Sequence, residues 1–140
     1  MGSGVRWVRV CCWIGAAVDG VMVVLMLFPA IGGRLFGIDD FQPGADYRYA
    51  MGVGASLMLG WTALLVWAGR RPLERKGVLL LTVCPVLVGL AAAGGLAVST
   101  GWVPFWRMVP TWAMQAALAI AFTHAYVTVS RIDDRRAGTE

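Results

Sequence analysis

The chain has 140 residues, of which 59% are apolar and only 14% charged, with a mean hydropathy of +0.70. Disordered chains have the opposite balance, and soluble domains carry about 25% charged residues, so the composition is that of a single membrane domain. The net charge of +4 comes from 11 Arg and one Lys against eight acids. These basic residues sit mainly beside apolar runs, where they orient a chain in a bilayer rather than bind nucleic acid.

Four runs are long and apolar enough to cross ~30 Å of hydrocarbon. The first covers residues 10–29 and holds one charge, Asp19. Arg6 and Arg9 precede it as in a signal peptide, but a run of about 20 residues exceeds the ~7–15 of a signal core. Cys11 and Cys12 are adjacent, without metal or redox spacing, and with Cys84 read as small packing residues. The 30–48 connection is the most polar internal stretch. It supplies Asp39, Asp40, Asp46 and Arg48, which with Arg107 are candidates to ring the outer mouth of a bundle. The alternative is a solvated loop with Arg48 and Arg107 as interface anchors.

The second span, 49–69, has no charge. Gly52, Ser56 and Gly60 form a stripe at a spacing of four, which predicts close approach of another helix. The third span, 77–98, is also uncharged. Pro85 predicts a kink in it, and the small residues 91–95 a second close contact. The fourth span, 108–129, begins near Pro104 and Pro110 and contains Gln115 and His124. Trp7, Trp67 and Tyr126 fall near one membrane interface, and Tyr47, Tyr49, Trp102 and Trp106 near the other. Trp13, Trp61 and Trp112 lie deeper and read as packing residues, with ligand stacking the alternative.

The Lys and Arg residues divide unequally. Both tails and the 70–76 turn carry nine of them, and the other two connections carry three. The positive-inside rule then places both termini in the cytoplasm, as an even number of spans requires. The predicted fold is an all-α, integral membrane four-helix transmembrane bundle, N-in and C-in, forming one domain.

Asp19 is the only acid within a span. It lies about nine residues, or roughly 14 Å, from the inner boundary and so near the midplane. A central acid is costly and usually faces the bundle, marking an ion, proton or substrate path. A protonated carboxyl tying two helices together is the competing reading. Thr111 and Gln115 share one face of the fourth span, and Ser56 lies at a comparable depth. Asp19, Ser56, Thr111 and Gln115 therefore make a candidate polar cluster that binds a ligand or a proton. His124 falls on the opposite face from Gln115 and has no second histidine for a haem site. No catalytic motif, cofactor motif or metal motif is present.

The four-span layout, the short tails and the Tyr47-Arg48-Tyr49-Ala50-Met51-Gly52 start of the second helix resemble the small DoxX-like inner-membrane proteins of bacteria. The resemblance implies a four-helix bundle in the inner membrane and carries over no catalytic residue. A lone acid in the first span is also similar to small multidrug-resistance transporters, but residues 15–20 do not match their pattern. The expected function is a non-enzymatic accessory or small-ligand-binding bundle. The alternative is a proton-coupled small-molecule transporter using Asp19. Expected partners are the lipid bilayer and a second copy or another membrane protein, with no nucleic acid, cofactor or metal.

Overall fold

The computed structural model describes residues 2–36 and 41–137, and among these the regular structure is helical throughout. The first span is α1 (Gly2–Leu27), followed by a short α2 (Pro29–Phe36). The second is α3 (Ala45–Arg70). The third is built of α4 (Gly77–Leu81), a π-helical segment (Thr82–Leu87) and α5 (Val88–Ser99), and the fourth is α6 (Phe105–Ala137). Four helical stretches are long and apolar enough to cross a membrane: Gly4–Leu27, Ala45–Arg70, Gly77–Ser99 and Phe105–Asp134. The helices outrun the apolar runs, most of all in α1 and α6. Backbone hydrogen bonding does not stop where hydropathy falls, and nothing in residues 2–9 or 130–137 breaks a helix.

The breaks have local causes. Pro29 has no N–H to continue α1, yet its fixed φ suits the first position of a new helix, and Ile31 and Gly32 bond back to Phe28 O. This makes α2, a helix that hydropathy alone does not mark within the 30–48 connection. Pro85 cannot bond to Leu81, and its ring crowds that carbonyl; the chain answers with the π-helical turn around it. Gly101 ends α5 with φ +71°, where a side chain would be strained. Gly101 N–H bonds to Val98 O and Trp102 N–H to Ala97 O, the paired bonds of a Schellman ending.

Contacts at small residues give the helix register. On α1 and α3, Cys12 lies against Gly69, Gly15 against Leu65 and Met26 against Gly54. On α1 and α6, Gly15 meets Phe122 and Gly4 meets Thr128 and Ile132. Gly94 of α5 meets Met108 and Trp112 of α6. Neighbouring helices are therefore antiparallel. Both tails and the 71–76 turn share one end, the terminal end, and the other two connections share the distal end. The main core, with Val8, Cys11, Cys12, Ala16, Leu65, Leu79, Phe122, Ala125 and Val129, occupies the half nearer the terminal end.

One packing expectation is overturned. A Cβ added at Gly52 or Gly60 would meet nothing within 4 Å, and Ser56 is exposed. The stripe does not pack on another helix of the chain; α3 instead presents Gly54, Ala55, Leu65, Ala68 and Gly69 to the interior. In the third span the expected close contact is present at Gly94, whereas Gly95 faces open space.

Candidate functional site

Asp19 lies one turn beyond Gly15 and Ala16 on the packed face of α1, and it is half-buried. Its carboxylate makes no hydrogen bond or ion pair with any described residue. The neighbouring positions on that face of α1 are Cys12, Gly15 and Ala16 below and Met22 and Val23 above, none of them charged.

Register shows what shares its level. From the Gly15–Leu65 contact, four residues along each helix lead to Asp19 on α1 and Trp61 on α3. From the α1–α6 contacts at Gly15–Phe122 and Cys11–Ala121, Asp19 and Gln115 fall within roughly one turn of each other. Gln115 continues the buried stripe of Phe122, seven residues away. Trp61 Nε1 donates to Thr82 Oγ1 at 3.3 Å, and Thr82 Oγ1 in turn donates to Val78 O at 2.8 Å. Asp19, Trp61 and Gln115 thus lie at about the same depth, and the Trp61 indole reaches from there toward the terminal end to Thr82, which the Gly94 contacts with Met108 and Trp112 place more than one helical turn from the level of Gln115.

Gln115 is 9% exposed, and its Oε1 is enclosed with no donor among the described residues. An enclosed amide oxygen without a partner costs roughly 1–3 kcal/mol. The side chain lies on a groove of about 360 Å³ between the third span and α6, which opens sideways between the two helices. Its walls are otherwise apolar.

The expected cluster is therefore recomposed. Asp19 and Gln115 share a level on interior faces, but no hydrogen bond joins them. Thr111 is half-buried one turn from Gln115. Ser56 does not join: its hydroxyl donates to Val53 O of its own helix at 2.9 Å, and the residue is exposed. On α3 Trp61 stands at this level instead, and its indole is bonded to Thr82 rather than to Asp19 or Gln115. The signal for that bond was present, since a deep indole N–H needs an acceptor, but the acceptor lies 21 residues away.

At the distal end, Asp46 is exposed in the first turn of α3. Arg48 Nε donates to Pro43 O at 3.3 Å, and the Arg107 guanidinium lies 4.6 Å from the Trp106 ring centroid. These three form no ion pair with one another. Asp39 and Asp40 lie outside the described residues. His124 is exposed on α6 and packs in a T-shaped contact with Trp7, ring centroids 6.2 Å apart. Cys11 and Cys12 are buried and Cys84 is exposed, all three as free thiols. Among the described residues no group of three or more His, Cys, Asp or Glu side chains is placed to hold a metal.

At the terminal end, basic side chains satisfy the last carbonyls of α3. Arg9 Nε donates to Gly69 O at 3.2 Å, and Arg75 donates to Trp67 O while lying 3.6 Å over the Trp67 ring. Both groups favour the negative end of the helix dipole. Lys76 donates to Asp133, and this bond, with the charges of Asp133 and Asp134, holds the ammonium above the usual lysine range.

No family model, curated protein or solved structure matches the chain.

Proposed function

We propose that the protein is a non-enzymatic, small-ligand-binding helix bundle of the bacterial inner membrane, DoxX-like in layout, with both termini in the cytoplasm. The observation that carries the ligand-binding reading is the Gln115 amide, enclosed near the depth of Asp19 with its oxygen unpaired among the described residues. Bilayer-embedded polar groups find partners within the protein or mark a pathway, and this one has no hydrogen-bond partner among the described residues. Native mass spectrometry of protein released from detergent micelles tests the reading. The expected result is a bound mass that is not bulk phospholipid. Bare protein in every preparation would refute it.

Asp19 favours a second reading, proton-coupled transport of a small molecule, because this half-buried carboxylate has no ion-pair or hydrogen-bond partner among the described residues. Asp19→Asn keeps the shape and cannot release a proton. In reconstituted vesicles a transporter should lose its pH-dependent flux in Asp19→Asn and keep part of it in Asp19→Glu. Flux with the same pH response in the folded Asn variant removes this reading.

A further inference from the structure

The sideways groove between the third span and α6 has three properties that together restrict what fits it. Its walls are Val83, Leu87 and Ala91 on one side and Trp112, Ala116 and Ala119 on the other, so its occupant is apolar along most of its length. Its volume of about 360 Å³ is at the small end of the ~300–1,000 Å³ of ligand sites. Its polar content is the Gln115 amide, which makes no hydrogen bond with any described residue and whose oxygen is enclosed. An amide offers both a donor and an acceptor. Among the described residues no charged side chain lines the groove, so a charged headgroup would enter it without a counter-ion in contact, which is prohibitively costly. A carbonyl or ether accepts from Nε2 and leaves Oε1 orphaned. A hydroxyl both donates and accepts, so as a small uncharged group it serves either end of the amide.

The π-helical turn bears on the same place. Val83 and Leu87 belong to the segment that Pro85 forces out of regular α-helix. Such bulges change the local helix surface and recur at functional sites.

We infer that this groove binds a long-chain apolar molecule with a single hydroxyl group, entering from the lipid side and hydrogen-bonded to Gln115. The inference rests on the ligand-binding reading above and names its ligand class. Entry through the open side needs no path from water, which suits a molecule dissolved in the bilayer.

The probe is hexadecanol carrying a photoreactive diazirine, compared with the same chain ending in methyl, on the full-length protein in vesicles. The hydroxyl probe should label residues 83–91 and 112–119 above the methyl probe. Gln115→Leu should lower labelling by the hydroxyl probe about three- to tenfold, the worth of one hydrogen bond, and leave the methyl probe unchanged. Ala116→Phe, at an exposed position on the groove wall, should reduce both and keeps the test open if Gln115→Leu does not fold. Equal labelling by the two probes in wild type, or labelling elsewhere, overturns the inference. If native mass spectrometry still finds a bound mass, only the hydroxyl class fails. If it finds none, the ligand-binding reading fails with it.

Discussion

Two glycines show how differently one residue type acts at two positions. A Cβ on Gly15 would lie 2.6 Å from Phe122 Cζ and 3.2 Å from a Leu65 methyl, and both side chains are fully buried. Gly15→Ala should therefore overpack the core, at about 1–3 kcal/mol, and lower the melting temperature in detergent by several degrees. Gly60 has open space around it, so Gly60→Leu should leave the melting temperature of the monomer unchanged. Differential scanning fluorimetry of the two variants checks both. A fall for Gly60→Leu with none for Gly15→Ala would mean that α3 turns its Gly60 face, rather than its Leu65 and Gly69 face, to the interior.

The ends of the helices are tied by polar bonds where apolar packing stops. At the terminal end Lys76, starting the third span, reaches Asp133 of α6, and the pair is about one-third and one-half exposed. The lysine is raised above its ordinary value, chiefly by the hydrogen bond to Asp133. A raised lysine stabilises the folded state fully below the unfolded value and loses that contribution as pH rises through the folded value. The melting difference between wild type and Lys76→Met should accordingly be small and constant between about pH 7 and 9 and shrink only in stronger alkali. A difference that disappears near neutrality would show that the pair contributes nothing through the lysine charge.

At the scale of the molecule, the outward faces are as apolar as the core. Leu57 and Ile120 are each 71% exposed, and Leu96 is 66% exposed. Apolar side chains this accessible all along the helices need a hydrocarbon solvent. The basic residues collect at the terminal end: Arg6, Arg9, Arg70, Arg71, Arg75, Lys76 and Arg131. The proposed orientation, with that end in the cytoplasm, predicts that single cysteines replacing Gly44 and Arg71 are labelled by an impermeant maleimide from the outside and the inside, respectively. Both reacting from the same side would refute the four-span topology.

Span number and position were legible because each rests on a run length against a fixed bilayer thickness, and 10–29, 49–69, 77–98 and 108–129 all lie within or very close to spanning helices. The isolation of Asp19 was legible too, since a single acid stands out in an apolar run. The rotation of each helix about its axis was not. In a bilayer the lipid and the protein interior are equally apolar, so hydrophobic periodicity carries no sign of which face is inside. Small residues occur on both faces of α3, and the Gly52, Ser56, Gly60 stripe could not be distinguished from the packed face of Gly54, Ala55 and Gly69. Nor could sequence spacing pair Trp61 with Thr82 or set Gln115 at the depth of Asp19. Those meetings depend on the register of antiparallel helices, and for Asp19 and Gln115 that register follows from how Gly15, Leu65 and Phe122 interlock.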